Sequence, residues 1–455
     1  MLASVLGYSA LGAAQDQVFV RDRRYGEGVG MRTGNIEFHA GIAGEFGYDS
    51  NYTLAADNGS PNETRFDTFL LRITPQVSVS TLGGQRKEAE GPSGSATPKV
   101  QFRAGVSASY THFIPSSRPE SKTLEDPPLG ASGSLSLTIL PQRPVSVDLL
   151  ADFARTVQPS NNPDLNFDRF GARFGGGVIW TPSSGMFDWR VGYEHSLTTF
   201  EDSVAPSGVG APRELSNHAD QVNTRGRWRF LPRTALMFDA TASFIRYNTP
   251  TPGQLPSDPI RARLGINGLV TSSFALLAMA GWGSSFYKGT NAQQFDGIIA
   301  QAELKWFLTP NQSTDVASTA LAHLSTIAVG YLRDFANSYL GDYYLVNRGY
   351  ANLSYFLSSA FVLSLSGGVS FITYPTIYDR TLHTAPIDPG FTTPWTDVTL
   401  FGEYRPTDVV GINATFRFSN AGEHQLGGPG STVMPIADEL KWTRFEGYVG
   451  ARLFF

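Results

Sequence analysis

The sequence predicts an all-β fold, a transmembrane antiparallel up-and-down β-barrel of about 18 strands with both chain ends on one side. Three observations predict it. Apolar and polar residues alternate in segment after segment of the 455 residues, and a period of two belongs to a strand with two unlike faces. No apolar run reaches the roughly 18 residues that a membrane-crossing helix needs. Tight and long connections take turns along the chain, as they do when strands run up and down across one layer.

The segments begin near residues 36, 66, 99, 129, 145, 167, 186, 215, 234, 259, 274, 295, 324, 343, 361, 395, 409 and 438. In the first, "IEFHAGIAGEFGYDS", Ile36, Phe38, Ala40, Ile42, Phe46 and Tyr48 share a face. In the second, Phe69, Leu71, Ile73, Val77 and Val79 do so. In the third, "VQFRAGVSASYTHF", Val100, Phe102, Ala104, Val106, Ala108 and Tyr110 oppose Gln101, Arg103, Gly105, Ser107, Ser109 and Thr111. That second face is rich in Gly, Ser, Thr and Arg, as a wet lumen would be. Leu363, Leu365, Val369 and Phe371 repeat the pattern late in the chain, as do Val410, Ile412, Ala414, Phe416 and Phe418. One helical window, "STDVASTALAHLS" near residues 315–325, predicts a short periplasmic helix.

After even-numbered segments the connections are mostly tight: "PQRP", "TPSSG", "PR", "TSS", "LSSA" and "PTD". Two, at 83–98 and 308–323, are long. After odd segments they are long and polar, for example "EDSVAPSGVGAPRE". Short periplasmic turns and long outer loops are the asymmetry of an outer-membrane barrel, so both termini are expected on the periplasmic side. Lipid offers no hydrogen-bond partners, and a sheet satisfies its own backbone there only by closing. The last segment, "EGYVGARLFF", is therefore expected to pair with the first, with Phe445, Val449, Ala451, Leu453 and Phe455 toward lipid.

Residues 1–14 have the look of a signal-peptide remnant, because "GAA" before Gln15 suits a signal peptidase although the basic start is missing. Residues 15–34 are expected to form a periplasmic N-terminal segment and residues 35–455 the barrel. Tyr48, Phe69, Tyr110, Trp180, Phe187, Trp189, Trp228, Phe230, Trp306, Tyr404 and Trp442 fall at segment ends, where membrane-interface aromatics belong.

On this register the lumen face carries charges of both signs. Arg169, Arg173, Arg190, Arg225, Arg227, Arg229, Arg261 and Arg263 form a basic strip, and Arg103, Arg348 and Arg417 point the same way. Glu37, Glu45, Asp148, Asp152, Asp188 and Glu194 are the acidic counterparts, joined by Asp239 and Glu303. The pattern allows a wall knitted by ion pairs or an electropositive track for an anionic solute. The loop "YPTIYDRTLHTAPIDPGFTTP" and the segment "QVFVRDRRYGEGVGMRTG" are the candidates to fold into the lumen.

No catalytic, metal or cofactor site is expected. There is no Cys, and the seven His (His39, His112, His195, His218, His323, His383, His424) lack metal spacing. Asp164, Asn166 and Asp168 lack the glycine and distal Glu of a calcium loop. No nucleophile elbow occurs, and a net charge of −5 gives no case for nucleic acid.

The tail "YVGARLFF" resembles the C-terminal signal that outer-membrane assembly machinery reads in bacterial barrels, with Tyr448, Leu453 and Phe455 as its marks. The opening "GEFGYDSNYTLAA", followed by "DTFLLRITPQVSVST", is similar to that of the β-barrel porin-2 group. That resemblance, which extends to Wzp-type polysaccharide-secretion barrels, implies an outer-membrane conduit working with a periplasmic polysaccharide-export protein. A diffusion porin is the alternative, and a structural barrel of a motility or adhesion machine the third. The expected partners are outer-membrane lipid, the assembly machinery and that export protein.

Overall fold

The computed structural model describes residues 30–52, 54, 67–81, 99–115, 129–141, 143–157, 168–182, 185–201, 215–249, 254–289, 291–308, 325–358, 360–378, 385–407, 409–422 and 441–455. The expected signal-peptide remnant, the helix near 315–325 and most of the calcium-like stretch lie outside them.

The chain opens with a hairpin of β1 (Met31–Thr33) and β2 (Ile36–Asp49), turned at Gly34, whose φ of 59° suits glycine. Then come β3 (Thr68–Thr81), β4 (Val100–Pro115), β5 (Leu129–Ile139), β6 (Val145–Thr156) and β7 (Arg169–Trp180). Next are β8 (Phe187–Phe200), β9 (Asn217–Leu231), β10 (Thr234–Tyr247), β11 (Ile260–Leu269) and β12 (Phe274–Ser284). They are followed by β13 (Asp296–Phe307), β14 (Thr326–Asn337), β15 (Tyr343–Ser358) and β16 (Phe361–Tyr374). A small ribbon of β17 (Ile377–Tyr378) and β18 (Pro386–Asp388) precedes β19 (Phe391–Tyr404), β20 (Val410–Ala421) and β21 (Trp442–Phe454).

Every strand from β2 to β15 pairs antiparallel with its successor, β16 pairs with β19, and β19–β20–β21 continue the ladder. The pairing of β2 with β21, from Gly41↔Phe454 to Asp49↔Glu446, closes it. These are the 18 expected strands, each beginning within a few residues of its predicted start. β19 starts at Phe391 and β21 at Trp442, against expected starts of 395 and 438. Of the expected N-terminal segment, residues 15–29 lie outside the described residues. Met31–Thr33 is part of the sheet, covering the Ile36–Phe38 stretch of β2 where β21 has already ended. The open donors and acceptors of that edge would otherwise have no strand partner.

The alternation resolves into outside and inside. Ile42, Phe46, Leu71, Val106, Leu135, Val178, Ile298 and Val449 are exposed on the outer face, and Glu45, Asp49, Arg190, Arg263 and Glu403 are buried on the inner. A water-soluble fold would reverse this, since large exposed apolar patches are a liability outside a membrane. Aromatic rings band the outside at both heights. At the end where β2 starts and β21 finishes lie Trp180 against Phe187 (5.7 Å), Trp228 against Phe230 (5.9 Å) and Phe274 against Trp306 (5.8 Å). At the loop end Phe69 packs on Phe46 and Tyr48, at 5.8 and 5.1 Å.

Candidate functional site: the lumen wall and its loop-end mouth

The inner faces of β6 to β11 bring the predicted basic strip together with most of the predicted acids. Arg190 forks onto Asp148 through Nε and Nη2 (3.0 and 2.7 Å), and its Nη1 donates to the Asn223 side-chain Oδ1. Arg173 donates to Asp152 (2.7 Å) and lies 3.7 Å from Glu194. Arg227 meets Asp188 (2.7 Å) and Arg263 meets Asp239 (3.0 Å). Arg261 donates to Asp334 at 3.0 Å, with its guanidinium 4.1 Å from the centre of the Phe335 ring. Other predicted members stand apart: Arg229 donates to the Gly185 carbonyl by a turn, Glu37 faces His39 at 3.6 Å, and Glu45 belongs to a second lattice. Arg169 is buried where β7 begins, at the loop end.

Arg225 differs from its neighbours. It lies across the strands from Arg190 and Asp239, is exposed to the lumen, and makes no hydrogen bond or ion pair among the described residues. Among the described residues the strip is thus largely a neutralised lattice, with Arg225 left open to the lumen. Forked arginine–carboxylate contacts hold both partners in a fixed geometry, so the wall is stiff where it is paired.

A second lattice spans the closing seam. Glu403 on β19 accepts from Arg405 (2.5 Å) and from Arg452 on β21 (3.2 Å). Arg452 lies 3.6 Å from Glu45 on β2, which Arg72 on β3 approaches to 2.9 Å. Nearer the loop end Arg444 holds Asp49 (2.5 Å) and Glu446 (3.0 Å), while Tyr448 donates to Glu446 at 2.9 Å. Flat rings cover these guanidinium groups: Phe454 over Arg405 (4.2 Å) and Tyr448 over Arg72 (4.6 Å). Of these residues the sequence reading singled out only Glu45 and Tyr448. The missing signal was parity: with Leu453 and Phe455 outward, Arg444, Glu446, Arg452 and Phe454 must face in. Tyr448 is on that inner face too, whereas Leu453 and Phe455 are exposed outside. The three marks of the tail therefore do not share a side of the sheet.

The loop end is drawn inward. The turn between β14 and β15 braces itself, Ser338 Oγ accepting from the amides of Leu340 (3.0 Å) and Gly341 (3.2 Å) while the Ser338 amide donates to Asp342 O (3.0 Å). Tyr339 meets Phe200 on β8 edge-to-face, at 5.3 Å and 83°, and packs against the Phe200–Leu215 pair. Leu340 packs with Tyr344, Ile372, Tyr374 and Ile377. Asp342 accepts from the Gln293 amide (2.6 Å) and the Tyr287 hydroxyl. Ile377 places the start of the expected inward-folding loop in this cluster, while residues 379–384 lie outside the described set.

Outside the lumen, the rim carries a clasp. Asp258 accepts from Lys288 (2.5 Å) and Arg246 (2.6 Å). Burial pushes its carboxyl up, but these two cations outweigh burial and hold it below the usual carboxylate value. Among the described residues no three His, Asp or Glu side chains stand together as metal ligands.

No family model matches the chain, and no curated protein matches it. Among solved structures it is similar to the siderophore receptor PirA from Pseudomonas aeruginosa, at 12% identity over 93% of this chain and 81% of that one, TM-score 0.44. It is similar as well to OccAB4 of Acinetobacter baumannii (10% identity, 93% and 99% covered, TM-score 0.44). OpdQ of Pseudomonas aeruginosa is a third (8% identity, 93% and 99% covered, TM-score 0.44). Likeness at this level carries no argument about solute or partner.

Proposed function

We propose that this chain is a bacterial outer-membrane barrel whose lumen passes small polar solutes by diffusion. The observation that carries the reading is the inversion of the molecule. An apolar, aromatic-banded exterior encloses a wall of fixed charges of both signs. Only a hydrocarbon exterior and an aqueous interior make both faces favourable at once. The inturned loop end favours small solutes, because a polymer conduit calls for a wide mouth.

Refolded, heat-modifiable protein in planar bilayers is expected to give ion conductance. Silence from this chain and from variants with the apolar mouth contacts trimmed overturns the reading. Export of a polysaccharide with a periplasmic partner is the second reading, favoured by an eighteen-strand circumference that leaves room for an aqueous bore. Loss of surface polymer in a deletion strain, restored by complementation, would move the assignment there.

A further inference from the structure

We infer that the β14–β15 turn is the gate of this conduit, with Tyr339 as its latch. The inference rests on the diffusion reading above. β8 and β14 are six strands apart around the closed ring of eighteen, a third of the way around the barrel. Yet Tyr339, two residues beyond β14, touches Phe200 at the end of β8. Phe200 is 1% exposed, and it shares its strand face with the lumen residues Arg190 and Glu194. The contact is therefore made across the mouth rather than along the wall.

The turn is built as a rigid tip on separable contacts. Its internal hydrogen bonds through Ser338 keep it folded whether or not it is docked. It docks on three sectors: by apolar and aromatic packing on Phe200 and Leu215 and on the Tyr374–Ile377 region, and by the hydrogen bonds that Asp342 accepts from the Gln293 amide and the Tyr287 hydroxyl of the loop between β12 and β13. Side-chain contacts of this kind form and break without unravelling a β-ladder, and short loops swing on the microsecond scale that gating needs.

The chain has no cysteine, so a lock can be installed without background. Phe200→Cys with Tyr339→Cys, joined by a short bifunctional thiosulfonate, is expected to lower bilayer conductance, and reductant is expected to restore it in the same membrane. Tyr339→Ala is expected to raise the open-to-closed ratio, by up to about tenfold for one aromatic contact. Conductance unmoved by the crosslink and by Tyr339→Ala overturns the gate while leaving the conduit standing. Silence of the wild type and of every variant overturns the conduit itself. A Tyr339→Ala protein that fails to fold leaves the decision to the reversible crosslink.

Discussion

Asp49 is fully buried on the inner face of β2, and what permits that is Arg444, itself 5% exposed. A buried carboxylate keeps its charge only beside a cation that satisfies its lone pairs. Arg444→Leu strands Asp49 and weakens the hold on Glu446. It is expected to cost about 3–5 kcal/mol in urea unfolding from lipid vesicles. Replacing Asp49, Arg444 and Glu446 together by apolar residues of similar size should recover most of that loss, since paired buried charges contribute little net stability. Arg225 is the opposite case: a cation open to the lumen with no ion pair among the described residues. Arg225→Ala is expected to shift the reversal potential in a salt gradient toward cation preference, more strongly at low ionic strength. No shift would assign its charge to the background of the wall.

At the scale of elements, the rim clasp gives a pH dependence of known sign. The Asp258 carboxyl is held below its ordinary value. Its contribution is therefore complete above the unfolded pKa of about 3.9 and lost as pH falls through the depressed folded value. Hydrogen exchange at the Ser257 amide, which donates to Ile245 O at 3.3 Å, should quicken only in acid after correction for the intrinsic rate. In Asp258→Asn that acid step should vanish. For β21, Phe455 is exposed and its amide donates to Ala40 O at 2.8 Å, a bond that survives side-chain truncation. Phe455→Ala is expected to reduce the amount of folded barrel in the membrane while changing the urea stability of the folded fraction by less than about 1 kcal/mol. Equal losses in both would make Phe455 a stability residue and not an assembly mark.

Across the whole molecule, what could be read in the sequence was what repeats. Strand count and facing follow from a period of two, and Val100 to Tyr110 already displayed both faces. The seam lattice was within reach of the same parity: Phe455 outward puts Arg452 and Arg444 inward. The mouth was not. Nothing local in "SYLGD" says that Tyr339 will meet Phe200, 139 positions earlier in the chain by its numbering. A contact across a lumen has no period, and β1 and the β17–β18 ribbon are too short to show one.

The closing seam also has a history. Arg444 and Asp49 are 395 positions apart, so the first long strand among the described residues pairs with the last. Until β21 arrives, the Gly41–Asp49 edge of β2 has no native partner, and the β1 hairpin shields only Ile36–Phe38. A bare strand edge invites the wrong neighbour, and closure across so long a separation is slow. Biogenesis of this barrel therefore has a waiting period whose length is set by the rest of the chain.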